Sequence, residues 1–166
     1  MSELILKTVL EGVGLGALLI LICAVSIRKG AVRVVHLYSA AVQERCVKSG
    51  LTTHEKIKRN SVLFKSFCIP GYIAYVLICV YAVNGARGFL SGFWQMFVIL
   101  SVMNLTDRFL IDEFLVGHTN AWTIPGTEDL KPYITSSDKR RKWIAGTVGM
   151  AVISVVLSAV MLLFIR

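Results

Sequence analysis

The sequence predicts an all-α fold, a four-transmembrane-helix bundle with a basic interfacial helix after the first crossing. Of its 166 residues 55% are hydrophobic, above the roughly 45–50% of an average soluble domain. They gather in four blocks, at 6–27, 63–83, 89–110 and 143–165, each close to the ~20 apolar residues needed to cross a hydrocarbon core. Charged stretches separate the blocks, and the chain carries a net charge of +8. One integral membrane domain over 1–166 is expected, with no room for a separate soluble domain.

The first block is longer than a signal-peptide apolar core, and its basic residues follow it instead of leading it, so it reads as an uncleaved helix. Gly12 and Gly16 form a small-xxx-small step. Such a step lets helix backbones approach closely, either within one bundle or between two copies. The fourth block repeats the device with Ala145 and Gly149, then Ser154 and Ser158.

After the first block, residues 31–46 read as one basic amphipathic helix, with Val34, Val35, Leu37, Tyr38, Ala41 and Val42 among Arg33 and Arg45. Its apolar side is expected in the acyl boundary, with its cations near anionic lipid. Gly50 breaks it, and Thr52-Thr53-His54-Glu55 is a capping-box signature for the helix that becomes the second crossing. Pro70-Gly71 should bend that crossing, since proline removes one backbone hydrogen bond.

Between Arg28 and Lys65 lie nine basic residues and two acids, Glu44 and Glu55. Lys139-Arg140-Arg141-Lys142 precedes the fourth block. Excess Lys and Arg marks cytoplasmic loops, so loops 28–62 and 111–142 are expected in the cytoplasm, with both termini outside. A bacterial inner membrane is the expected location. The basic loop lacks the aromatic interleaving of single-strand binders, so no nucleic-acid partner is expected. Anionic lipid is its natural partner.

The third block carries most of the functional signal. Its helical pattern continues to His118, and a helix over 91–118 would be about 42 Å long against a core of about 30 Å. Its last third holds Asn104, Asp107, Arg108, Asp112, Glu113 and His118. At 100° per residue all of these except Glu113 share one broad face, and Arg108 and Asp112 stand four apart, at pairing distance. Ionisable residues inside a membrane segment face a bundle interior or a wet cavity and suggest function. Next comes Ile124-Pro125-Gly126-Thr127-Glu128-Asp129, which reads as a type II Pro-Gly turn. Thr127 should cap a short helix that begins with Glu128 and Asp129. Trp122 and Tyr133 flank it as expected interface anchors. The loop is expected to fold back beneath the bundle and to bring Glu128 and Asp129 toward Asp107.

The stretch 104–133 resembles small, uncharacterised multi-pass bacterial membrane proteins. The resemblance rests on the Asn-x-x-Asp helix, Ile111-Asp112, His118 and the Ile-Pro-Gly-Thr-Glu-Asp loop at 124–129. It implies a shared site and no particular activity.

Three chemistries fit these residues. A divalent metal would draw on Asp107, Asp112 and His118, completed by another group such as His36, although no pair is spaced for adjacent-turn ligation. Paired carboxylates could serve acid–base chemistry on a lipid head group, but the diacidic motif of phosphatidyl-alcohol transferases, a nucleophile elbow, a P-loop and a dinucleotide fingerprint are absent. In a structural role, Asp107 and Asp112 would neutralise Arg108 in a polar packing seam. The leading expectation is binding of a small polar or lipidic ligand at Asn104, Asp107, Arg108, Asp112, His118, Glu128 and Asp129. A homo-oligomer or a partner membrane subunit would accompany it. His54 reads as a solvated loop residue. Cys23, Cys68 and Cys79 read as packing residues, and Cys46 as the one cysteine exposed in a loop.

Overall fold

A computed structural model describes residues 2–28 and 30–165. All regular elements among them are helical. α1 spans Ser2–Ile27, α2 Ala40–Lys48, α3 His54–Leu77, α4 Phe89–Thr106, α5 Val116–His118 and α6 Ser136–Met161. Two π-helical stretches extend this set, Ile78–Val83 after α3 and Asp107–Leu115 between α4 and α5. Four continuous helices are long and apolar enough to cross a membrane: Ser2–Ile27, His54–Val83, Phe89–His118 and Ser136–Met161. The first three contain their apolar blocks and start earlier or end later, because polar flanks extend a helix without ending its hydrogen bonding; the fourth starts seven residues before its block and ends at Met161, short of residue 165. Such a set is compatible with an integral membrane protein. A helix of this kind satisfies its backbone groups within its own segment, as hydrocarbon requires.

α4 is the central helix, with α1 and α6 both packed against it. The Gly12–Gly16 step is what lets α1 approach. A Cβ at Gly12 would stand 2.6 Å from the Val102 Cβ, and one at Gly16 would stand 2.9 Å from the Thr106 Cβ. The step therefore packs the bundle internally. On α6, a Cβ at Gly149 would meet nothing within 4 Å, so that step is not used inside the chain. The outer faces keep large apolar side chains exposed, among them Leu10, Phe67, Leu90, Phe109 and Val148.

The expected single helix over 31–46 is instead two pieces, a 3-10 helix at Ala31–Leu37 and α2, with Tyr38 extended between them. Its apolar side does not face an acyl boundary. Val34, Val35, Tyr38, Val42 and Cys46 are buried in the protein core, because the break lets both pieces fold under the bundle. Cys46 is 0% exposed, so it is not the accessible loop cysteine the sequence suggested. At the start of α3, Thr53 and not Thr52 is the cap, accepting from the Lys56 amide at 3.3 Å. A full capping box occurs instead at α6, where Thr135 and Asp138 satisfy each other's backbone amides.

Candidate functional site

The polar helix end changes geometry where it matters. From Asp107 to Leu115 the backbone is π-helical, so i→i+5 bonds replace i→i+4 and residues five apart align. The 100° wheel drawn from the sequence therefore loses register after Thr106. Asp107 and Asp112 come to line one cavity, and Arg108 and Glu113 turn together to a neighbouring cleft. Turns of this kind recur at functional sites.

The expected Arg108–Asp112 pair does not form. Arg108, only 8% exposed, donates from Nε and Nη2 to Asn104 Oδ1 at 3.2 and 3.1 Å. It also donates to the backbone carbonyl of Lys142, and its guanidinium lies 4.9 Å above the Trp143 ring. Asp112 pairs with α6, taking the Lys142 ammonium at 2.8 and 3.0 Å. Glu113 pairs with Lys139, one turn earlier on α6. Gly146 makes this joint possible, since a Cβ there would sit 3.0 Å from Asn104 Oδ1 and would collide with the Arg108 guanidinium.

Asn104, Asp107 and Asp112 face a cavity of about 360 Å³ between α3 and α6. Its other walls are mostly apolar, including Leu19, Ile69, Ile73, Met103, Ile153 and Leu157. Lys142 and Tyr72 add polar groups. Ile69 and Ile153 are also exposed on the outer surface, so the cavity reaches the face that meets the surrounding medium. Asp107 takes part in none of the ion pairs among the described residues. The Tyr72 hydroxyl is buried without a hydrogen-bond partner among them. A chamber with apolar walls and a few convergent polar groups is the usual form of a small-molecule site.

Loop 119–135 closes the cavity from beneath through Trp122 and Ile134. The Pro-Gly turn is as expected, with Gly126 at φ 81° and the Thr127 amide bonded to Ile124 O at 3.2 Å. Thr127 does not cap the turn that follows. Its hydroxyl donates to Ile124 O at 2.8 Å and meets the Tyr133 hydroxyl at 3.0 Å. Trp122 and Tyr133 are buried at 3% and 1% exposure, so they pack the lid and do not anchor an interface. Tyr38 lies between their rings and donates to Trp122 O at 2.8 Å.

Glu128 and Asp129 point away from Asp107. Glu128 accepts from the Gly126 amide at 2.9 Å, and Asp129 forms a two-pronged pair with Arg45 at 3.1 and 3.2 Å. His118 is exposed, with Nδ1 2.9 Å from the Glu113 carbonyl and its ring stacked on Phe114. The three metal candidates therefore do not converge. No three His, Cys, Asp or Glu side chains among the described residues are grouped to hold a metal ion. His36 lies against Phe64 and does not line the Asp107 cavity.

Sequence reasoning missed Lys142, Tyr72 and Gly146. Lys142 is the residue of its basic cluster nearest the apolar block, and its three-residue spacing from Lys139 was the available signal. Glu11 was also missed, an acid inside the first apolar block. Asn84 Nδ2 donates to Glu11 Oε2 at 2.9 Å and to Gln95 Oε1 at 3.0 Å, tying three helical segments together at the far end.

The chain matches no protein-family model, no curated protein and no solved structure. The functional reading therefore rests on the geometry.

Proposed function

We propose that this protein binds an amphiphilic ligand in the chamber between α3 and α6, with the ligand's polar head at Asp107 and its apolar part along Ile69, Ile73 and Leu157. The carrying observation is a carboxylate without an ion pair, beside an unpartnered tyrosine hydroxyl, in an otherwise apolar cavity. A buried polar group without a partner is expensive, and a head group with donors and acceptors would partner the Tyr72 hydroxyl and the Asp107 carboxylate. Asp107, Asp112 and Lys142 together carry one net negative charge, which favours an amine or a polyhydroxyl head over a phosphate. The excess of Lys and Arg in the long loops supports a cytoplasmic position for this end of the bundle with the termini outside, most simply in a bacterial inner membrane. Residues 104–133 would then be the site shared with the small multi-pass membrane proteins they resemble.

Native mass spectrometry of the protein purified in mild detergent tests the reading. The wild type should carry an amphiphile that Asp107→Asn loses while its helical circular dichroism is unchanged. A wild type that is folded and empty, even after incubation with total membrane lipid, would overturn it.

A further inference from the structure

On the other side of Phe64 the structure forms a second, differently charged site. Leu21, Ile22 and Val25 of α1 and Phe67 and Cys68 of α3 border an apolar groove of about 400 Å³. Beside it lies a pocket of about 150 Å³ that holds Arg33, His36 and Asn60. Ser26 and Phe64 line both, so groove and pocket adjoin. Among the described residues no acid lines either one. Arg33 is exposed and takes part in no ion pair among the described residues. Both ring nitrogens of His36 are buried and lack a hydrogen-bond partner among them, and the Lys65 charge acts on the same ring. Asn60 Nδ2 donates to Arg33 O at 3.1 Å and so ties this 3-10 segment to α3.

We propose that groove and pocket together bind one anionic phospholipid, its phosphate between Arg33 and His36 and an acyl chain along Val25 and Phe67. Phosphate oxygens accept hydrogen bonds from guanidinium and imidazole N–H groups, which would give His36 the partner it lacks. The apolar groove leading away from the cationic pocket selects a lipid over a free anion, because a soluble phosphate leaves the groove empty. The charge is opposite to that of the Asp107 chamber, so the two sites sort head groups by sign.

The test titrates delipidated full-length protein in neutral detergent with phosphatidylglycerol and phosphatidylcholine of identical chains, read by native mass spectrometry. The wild type should prefer phosphatidylglycerol. Arg33→Gln should lower that preference about fivefold, and His36→Gln, which removes a hydrogen bond to the phosphate both lipids carry, should weaken both. Phe67→Ser should weaken both lipids, and Lys58→Gln/Arg59→Gln, which removes two exposed cations elsewhere, should change nothing. Arg33 and Phe67 are exposed, so their variants are expected to keep the wild-type circular dichroism. Equal binding of the two lipids would overturn the proposal. So would an equal loss in the Lys58/Arg59 variant, or displacement of the lipid by an equal concentration of inorganic phosphate.

Discussion

Lys142 reaches from α6 to set its Nζ 2.8 and 3.0 Å from the two carboxylate oxygens of Asp112, a residue 30 positions earlier on the π-helical stretch. The Asp112 side chain is 10% exposed and that of Lys142 is 39% exposed. The pair is more sheltered than a surface ion pair, so removing one partner would leave a poorly solvated charge behind. Together with Glu113–Lys139 and the Arg108 bond to the Lys142 carbonyl, it fastens the start of α6 to the end of α4.

Asp112→Asn should lower stability by about 1–3 kcal/mol, because it leaves an ammonium without its counter-charge. Adding Lys142→Gln should recover part of the loss. A double-mutant cycle on melting temperature in detergent reads the coupling, and strictly additive losses would show that the pair does not act as a unit.

Gly146→Ala should destabilise by about 1–3 kcal/mol, since the new methyl group meets Asn104 and the Arg108 guanidinium. Gly149→Ala, with open space around it, should stay within about 0.5 kcal/mol of wild type. Equal melting temperatures for the two variants would mean that α6 does not approach α4 at Gly146.

Thr127→Val keeps the side-chain shape but removes the hydroxyl that bonds Ile124 O and Tyr133. A loss of about 1–3 kcal/mol is expected, concentrated in the lid. Hydrogen exchange should quicken over residues 119–135 and not in α1. Uniform acceleration along the chain would argue that the loop has no separate closing role.

Burial holds the His36 imidazole below its ordinary pKa of about 6.5, and the Lys65 charge acts in the same direction, against a smaller opposing pull from the Arg33 backbone. The unfolded chain then binds a proton that the folded one refuses. This contribution to stability is full above about pH 6.5 and declines as pH falls through the lowered folded value. Melting temperature measured from pH 7.5 to 5 should fall more steeply in the wild type than in His36→Gln. Parallel curves would assign the acid sensitivity to other groups.

Cys46 is fully buried, so an impermeant maleimide should label it only after unfolding. Orientation is better read from cysteines placed at exposed Lys58 and Arg87. In intact cells Arg87→Cys should react and Lys58→Cys should not. The reverse pattern would invert the topology.

The apolar blocks made the four long helices legible, because bilayer thickness fixes a helix length that few other constraints imitate. The tight α1 helix was legible in Gly12 and Gly16, and their partner on α4 was not. The Pro125-Gly126 turn was legible because its chemistry is local. The all-helical class, the four helices long and apolar enough to cross a membrane, and the polar character of the α4 end were thus legible in the sequence alone.

Tertiary structure decided the pairings. Arg108 and Asp112 stand four apart and would meet on an ideal helix, yet the π-helical stretch shifts the register and hands Asp112 to Lys142. Glu128 and Asp129 face outward because Arg45 and the Gly126 amide reach them first. The Ala31–Leu37 segment buries its apolar side in protein because the break at Tyr38 folds it under the bundle. Each outcome depends on which surfaces meet across long stretches of chain, and a local pattern of residues carries no information about that.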